Sequence, residues 1–275
     1  MSPLAYDFMQ RALIAALIVG LVAPLIGTFL VQRRLALLGD GMGHVALTGV
    51  GIAFLLGTAP VVTAMVVAAI GALVIELIRA RSRTAGDLAL ALIFYGGIAG
   101  GVLFASLAGG KGAAALTQYL FGSLSTVTSS DLMVLGMLAL LVLLILTVFG
   151  REIFVMSLDV EVANVQGVRT TVMSTLLTVL AAMAVVVGMR TVGLLLVSAI
   201  MIVPVAAAQQ LTRSFVTTMT LAAALGVIAS TTGLLTSYYA DIPPGPTIVI
   251  AALALFPVAA VVAVPLRRRR KALGV

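Results

Sequence analysis

Asp40 and His44 are the residues of this chain best suited to chemistry, and they stand four positions apart in an otherwise apolar stretch, 35–57. His44 is the sole histidine among the 275 residues. On a helix this spacing stacks the two side chains on one face. A neutral imidazole nitrogen and a carboxylate oxygen form a sound ligand pair for zinc, manganese or ferrous iron. Two interpretations are open: a site that handles a metal ion or a proton, or a polar pair that only hydrogen-bonds across a helix interface.

The composition places this stretch in a bilayer. Apolar residues make up 62% of the chain and charged residues 9%, and the mean hydropathy is +1.27. A carboxylate at membrane depth costs roughly 2.5–3.5 kcal/mol on insertion scales, so Asp40 needs a partner or a function. Counted from position 35 at about 1.5 Å per residue, Asp40 lies roughly 8 Å and His44 roughly 14 Å into the span. His44 is therefore expected near the middle of a hydrocarbon core about 30 Å thick.

The number of ligands argues for two copies of the chain. A transition-metal ion generally takes about four ligands, and the sequence offers no second histidine. A two-fold homodimer would place two copies of Asp40 and of His44 around one axis. Thr48, one turn further along the same face, is expected to add at most a weak third oxygen ligand. The helix that carries Asp40 and His44 must then line the dimer interface, which the close-approach spacing of Gly39 and Gly43 permits.

The elements that must position these residues are apolar runs long enough to cross a membrane. Nine such runs occur, at 12–32, 35–57, 59–79, 87–108, 132–150, 171–189, 191–211, 215–237 and 246–265. Because Pro204 lies in the middle of the seventh run, a broken or partly inserted helix is an open alternative there. We therefore expect an all-α, polytopic transmembrane helical bundle of about eight or nine spans.

The distribution of positive charge predicts the orientation of this bundle. With nine spans and the N-terminus outside, 13 of the 16 Lys and Arg residues fall on one side, and three fall on the other. The positive-inside rule makes the richer side cytoplasmic, which gives an N-out, C-in topology. Since the basic residues lie between apolar runs and in the segment 267–271, the net charge of +7 indicates membrane topology and not nucleic-acid binding.

Two connections between the runs are long. The outer one, 109–131, contains an amphipathic stretch at 118–123 that is suited to lie on or dip into the membrane surface. The inner one, 151–170, can form a short helix with acidic residues early and a terminating glycine, Gly167. Such a helix could dock a soluble partner, or the segment could be a solvated linker.

Several chemistries are excluded. The chain has no cysteine, which rules out disulfides and thiolate metal sites. The nearest approach to a phosphate-binding loop, 105–112, lacks the first glycine, and Lys111 is followed by Gly112 and not by Ser or Thr. We therefore expect a chain with no enzymatic activity and no permanently bound cofactor, whose partners include the lipid bilayer but no nucleic acid.

Several segments in order resemble the integral-membrane permease of the zinc/manganese-type metal-ion ABC transporters. The matching segments are RRLALLGDGMGH at 33–44, YLFGS at 119–123, SDL at 130–132, LDVEVANVQGV at 158–168, GLLLVSA at 193–199 with Pro204, and PGPT at 244–247. Together they cover most of the chain, although each alone is a weak signal.

The resemblance implies a homodimeric helical pore in the plasma membrane of a prokaryote, with residues 1–275 as a single permease domain. It also implies a separate cytoplasmic ABC ATPase and an extracytoplasmic metal-binding protein that delivers the ion. The family's intramembrane ligands carry over to Asp40 and His44, and the divalent metal is the transported substrate. Its coupling helix, which receives the motion of the ATPase, carries over to about 157–168 within the cytoplasmic segment 151–170. The coupling residues are Ser157, Leu158, Asp159, Glu161, Ala163 and Gly167.

The sequence thus predicts the membrane subunit of an ATP-driven importer for zinc, manganese or iron. The first alternative is a proton-coupled secondary metal transporter that uses Asp40 and His44 without an ATPase. The second is a structural membrane protein with no transported ion. A strict nucleotide requirement for uptake separates the importer from the secondary transporter, and retained function after Asp40→Ala would indicate the structural protein.

Overall fold

The computed structural model describes residues 6–81, 86–122 and 127–272, and all regular secondary structure in these ranges is helical. The helices are α1 (Asp7–Gln32), α2 (Leu38–Leu56), α3 (Pro60–Arg81), α4 (Gly86–Leu107), α5 (Gly110–Phe121), α6 (Ser129–Leu158), α7 (Val160–Val165), α8 (Thr170–Thr191), α9 (Leu194–Leu211), α10 (Phe215–Ala240) and α11 (Pro244–Ala272). Within the described ranges, nine of them are long and apolar enough to cross a membrane, the exceptions being α5 and α7. The predicted nine-span helical bundle is confirmed.

Several helix boundaries differ from the predicted ones, and two of these differences and the course of α9 matter for the argument. Helix α2 begins at Leu38 and not at 35, because the residues before it form a turn. Helix α6 continues to Leu158, past the predicted end at 150, and its 30 residues span about 45 Å. Helix α9 runs without a break through the buried Pro204, so the alternative of a broken seventh span is wrong.

Contacts between side chains show which helix ends lie together. Arg33, directly after α1, donates a hydrogen bond from Nη1 to Ser174 Oγ near the start of α8, at 2.8 Å. The ring of Phe215, at the start of α10, packs against Phe29 of α1 and Phe154 of α6, at centroid distances of 4.9 and 4.6 Å. We call this the arginine-rich end, since it also carries Arg79, Arg81, Arg169 and Arg213.

The opposite end is held by an ion pair and by a close backbone junction. Arg190 Nε lies 2.8 Å from Asp131 Oδ1, which ties the end of α8 to the start of α6. The end of α5 at Gly122 packs against the α8–α9 turn at Gly193. A Cβ added at Gly122 would lie 2.3 Å from the carbonyl carbon of Val192, and both glycines have positive φ, +70° and +91°. Only glycine fits at these two positions.

Helix α5 carries most of the predicted amphipathic stretch. Its 12 residues reach from the end of α4 to this backbone junction, where Phe121 contacts the turn before α9 and Gly245 of α11. The stretch is therefore a folded helix packed among the spans. Ser123, the last residue of the stretch, lies outside the described residues.

Candidate metal site

The structure brings Asp40 and His44 together on one face of α2, as the spacing predicts. Asp40 lies in the first helical turn and His44 one turn later, with Asp40 Oδ2 at 3.8 Å from His44 Nε2. Their side chains are 30% and 14% exposed. Because α2 begins at Leu38, the two residues lie only about 3 Å and 9 Å from its start at about 1.5 Å per residue.

The separation between the two side chains suits a shared ion. At 3.8 Å the nitrogen and the oxygen are too far apart for a hydrogen bond to each other. Bonds from a transition metal to such atoms are about 2.1 Å long, so an ion could meet both at an angle of about 130°. The described part of the chain contains no group of three or more His, Cys, Asp or Glu side chains that could hold a metal ion. One chain therefore offers two ionisable candidate ligands here, Asp40 and His44.

Helix α4 packs against α2 at His44 and Thr48. The His44 ring meets the ring of Phe94 edge-on, at a centroid distance of 4.8 Å. Thr48 Oγ1 donates a hydrogen bond to the carbonyl oxygen of Gly97, at 2.8 Å. A Cβ added at Gly97 would lie 2.7 Å from the backbone of His44, so this glycine allows α4 to pack directly on α2. Thr48 thus has a packing role, and its role as a weak third ligand stays a prediction.

Asp40 also lines an open cleft of about 480 Å³. The first turn of α2, the end of α5 and the facing sides of α9 and α11 form its walls, which are largely apolar. Of the described residues that line the cleft, Asp40 is the only ionisable one. Leu37 and Ile250, both in its lining, are 68% and 67% exposed. A carboxylate is therefore presented on an apolar surface.

Ser198 of α9 lies in the wall of the same cleft. Its Oγ is buried and has no hydrogen-bond partner among the described residues. The sequence analysis placed Ser198 only within a matching segment, without a role. The one signal in the sequence was a small polar residue inside an apolar helical run. The structure adds the unpaired hydroxyl and its position across the cleft from the start of α2.

The glycines of α2 do not serve the predicted interface. A Cβ added at Gly43 would lie 1.9 Å from Leu194 Cδ1, and one at Gly39 would lie 3.1 Å from Met201 Sδ. Both glycines therefore pack α2 against α9 of the same chain. Because α9 covers these two glycines, their spacing does not provide a close approach to a second copy, and a dimer interface along α2 stays a prediction. Asp40, in the first turn of α2, lines the cleft instead.

The predicted coupling segment contains a separate short helix, α7, at the arginine-rich end. Asp159 Oδ1 accepts hydrogen bonds from the backbone nitrogens of Glu161 and Val162, at 2.8 and 3.1 Å, which caps the helix. Ala163 is fully buried, and Gly167 ends the segment with a φ of +79°. The segment is thus a folded helix and not a solvated linker.

Ser157 and Leu158 do not belong to this short helix. They form the last turn of α6, where Ser157 Oγ donates a hydrogen bond to the carbonyl oxygen of Ile153 at 2.6 Å. The short helix begins only after Asp159, whose extended backbone breaks the run between α6 and α7.

Comparisons with a family model, with known sequences and with solved structures agree with one another. The ABC 3 transport family matches residues 5–263. The manganese transport system membrane protein MntC of Halalkalibacterium halodurans is 34% identical over 256 residues, which cover 93% of this chain and 87% of that protein. The manganese import system permease protein ScaB of Streptococcus gordonii is 31% identical over 251 residues, covering 91% of this chain and 90% of that protein. The solved structure of PsaBC from Streptococcus pneumoniae in complex with Fab superposes with a TM-score of 0.82 at 29% identity, covering 92% of this chain and 91% of that one.

Proposed function

We propose, since this chain belongs to the ABC 3 transport family, that it is the membrane-spanning permease of an ATP-driven importer for a divalent transition metal, with manganese as its main cargo. The chain is a metal-type ABC transporter permease of the plasma membrane of a prokaryote. The identity of the metal, the partner chains and the residues that meet the ion are the parts we propose.

The observation that carries the proposal is the Asp40–His44 pair beside the apolar cleft. Their ligand atoms lie 3.8 Å apart, and Asp40 is part of the cleft wall. A carboxylate on an apolar surface within a membrane is costly unless a positive charge meets it. A divalent ion that passes along the cleft supplies this charge and takes the imidazole nitrogen as its second ligand. Ser198 offers a further oxygen in the same wall.

The names of the relatives favour manganese, and the donor set accepts it. Carboxylate and hydroxyl oxygens suit manganese, whereas thiolates, which select softer ions, are absent from this cysteine-free chain. Two relatives, MntC and ScaB, bear names that state manganese transport or import. Zinc and iron, which an Asp and a His also suit, are the competitors to test.

A second copy of the chain completes the site. Exposed apolar side chains surround Asp40 at the cleft, among them Leu37, Leu195 and Ile250. Lipid covering this surface would leave the Asp40 carboxylate in hydrocarbon, whereas a second copy would cover it with protein. Around a two-fold axis the two chains would present two Asp40 and two His44 side chains, which is the four-ligand set a transition metal takes.

The remaining partners follow from the two ends of the bundle. The positive-inside rule makes the arginine-rich end cytoplasmic, so that the topology is N-out and C-in. Helix α7 lies at this end, between the end of α6 and the start of α8, and we assign it to the contact with a cytoplasmic ABC ATPase. An extracytoplasmic metal-binding protein would deliver the ion at the opposite end. The whole chain then acts as one permease domain with its coupling segment at 151–170.

The test is uptake into proteoliposomes that contain this chain and an ABC ATPase that co-purifies with it. Uptake of radioactive manganese should require ATP hydrolysis and fail with a non-hydrolysable analogue. Unlabelled manganese should compete better than zinc or iron. Uptake driven by a proton gradient without nucleotide would instead establish a secondary transporter.

A further inference from the structure

A buried polar cluster lies at the arginine-rich end, apart from the metal site. Glu76 of α3 is only 8% exposed, and its carboxylate accepts three hydrogen bonds. The donors are Arg79 Nη1 at 2.7 Å, Ser174 Oγ at 2.5 Å and Thr178 Oγ1 at 2.7 Å. Two of the three donors come from α8, about a hundred residues further along the chain. The charge of Glu76 therefore joins α3 to the first turns of α8.

Arg33 extends the cluster to a third part of the chain. Its Nη1 donates to Ser174 Oγ at 2.8 Å, so this single hydroxyl accepts from Arg33 while it donates to Glu76. Burial, together with the nearby charge of Arg79, lowers the pKa of Arg33 to about 10, although the charge of Glu76 opposes the shift. Arg33 thus remains charged at neutral pH. We call Arg33, Glu76, Arg79, Ser174 and Thr178 the Glu76 cluster.

The cluster is connected to α7 through the start of α8. Helix α8 begins at Thr170, whose Oγ1 donates a hydrogen bond to Asn164 Oδ1 of α7 at 2.8 Å. Ser174 lies one helical turn beyond Thr170. A displacement of α7 therefore reaches Ser174 through a continuous helix and one side-chain contact.

The cluster is also connected, through Arg33, to α2, which carries Asp40. Arg33 begins the turn between α1 and α2, and Asp40 follows seven residues later. The turn is closed by two backbone hydrogen bonds, from Leu35 N to Leu30 O at 2.8 Å and from Arg34 N to Val31 O at 3.0 Å. This pattern is a Schellman motif, which fixes the direction in which the chain leaves α1. A force on Arg33 is therefore passed to the first turn of α2.

We infer that the Glu76 cluster is the joint that couples movement of α7 to the helix that carries Asp40. The inference rests on the proposed function, in which α7 receives the motion of an ATPase. Ser174 and Glu76 act in it as positioning residues that do not touch the ion. Ser174 is the critical link, because its hydroxyl is the group that bonds both the α1–α2 turn and the carboxylate of α3.

The test measures manganese ions transported per ATP hydrolysed in the reconstituted complex. Ser174→Ala removes the bridging hydroxyl, and Glu76→Gln removes the charge with little change of shape. We expect each to lower uptake at least about tenfold, the effect of losing one hydrogen bond to a charged group. Hydrolysis by the partner should stay within about twofold, so that the ratio of ions to ATP falls. Thr175→Ala is the matched control, since the hydroxyl of Thr175 bonds Thr171 O within α8.

The possible outcomes separate the two proposals. If the wild-type complex shows no ATP-dependent uptake, the proposed function fails before the cluster is tested. If the wild type transports and both variants keep its ratio of ions to ATP, the coupling role is refuted. A purely structural role would lower uptake and hydrolysis together, in proportion to the amount of folded complex, and would also overturn the inference. Should Glu76→Gln fail to assemble, Ser174→Ala alone decides, because it leaves the Glu76–Arg79 ion pair intact.

Discussion

Oδ2 of Asp40 and Nε2 of His44 lie 3.8 Å apart on successive turns of α2, close enough to meet one ion and too far apart to bond each other. Neither side chain therefore satisfies the other. In the proposed site a metal ion is the partner of both side chains, so loss of either residue should reduce transport more than it reduces folding.

Asp40→Ala and His44→Ala should each reduce metal uptake to background, because each removes one of the two proposed ligands of the ion. Membrane insertion and the yield of assembled complex should stay near wild type, since both side chains disfavour insertion and contribute mainly through the ion. Uptake in proteoliposomes and growth under metal limitation measure the effect. Growth of either variant at the wild-type rate would show that the site is misplaced.

A hybrid dimer tests whether the ion is shared between two copies. Pairing one wild-type chain with one His44→Ala chain removes a single ligand from a four-ligand site. A shared site should then lose most of its uptake, whereas two independent sites should keep about half. Differently tagged chains, purified in tandem, give the hybrid, and a wild-type pair with the same tags is the control. Half activity would contradict the shared site.

Cysteines in α7 test the orientation and the ATPase contact. Val165 is 90% exposed, so Val165→Cys should crosslink to the ATPase and resist impermeant reagents added outside intact cells. Ala163 is fully buried two residues earlier, so Ala163→Cys should neither crosslink nor label in the folded complex. The cysteine-free background makes each label specific. Labelling of Val165→Cys from outside would show that the topology is the opposite of the proposed one.

Ser198→Ala separates a transport role from a packing role. The buried Oγ of Ser198 has no hydrogen-bond partner among the described residues, so its removal should leave thermal stability unchanged or slightly raised. Uptake should nevertheless weaken through a higher KM for manganese, because the cleft loses an oxygen. Ser230→Ala is the control, since the Oγ of Ser230 is also buried and unbonded in the described structure but lies in α10 against Gly20 of α1. Equal KM values for both variants and the wild type would exclude Ser198 from the ion's path.

Arg34→Gly should stabilise the protein. Arg34 has a φ of +60°, in the left-handed region that costs a residue with a side chain roughly 1 kcal/mol and costs glycine nothing. The midpoint of thermal unfolding in detergent should therefore rise for Arg34→Gly. Arg34→Ala, which removes the same charge but keeps the strain, serves as the control. A similar midpoint for the two variants would mean that the backbone of this turn stores no strain.

The nine spans and the Asp40–His44 pair could be predicted because both depend on local spacing. A run of about 20 apolar residues fixes a span, and a separation of four positions fixes a shared helix face. The end of α6 could not be predicted in this way, because the apolar run ends before the helix does. Arg151 and Glu152 end the apolar run, but backbone hydrogen bonding continues the helix to Leu158.

The partners of Glu76 could not be predicted from the sequence. Its pairing with Arg79, three positions away, follows from helix geometry. Its bonds to Ser174 and Thr178 depend on how α3 packs against α8, and no local pattern encodes a contact across about a hundred residues. The same holds for the glycines of α2, whose spacing indicated close approach but not that α9 of the same chain would be the neighbour.

The length of α6 has a consequence for the lipid around the protein. Its 30 residues extend about 45 Å, against a hydrocarbon core of about 30 Å. The final turns, from Arg151 to Leu158, extend roughly 12 Å beyond the end of the apolar run at 150 and lead directly into α7. Hydrophobic mismatch is relieved by helix tilt, so a thinner or thicker bilayer changes the angle of α6 and the height of α7. Acyl-chain length thereby becomes a control on how well a soluble partner can engage this protein.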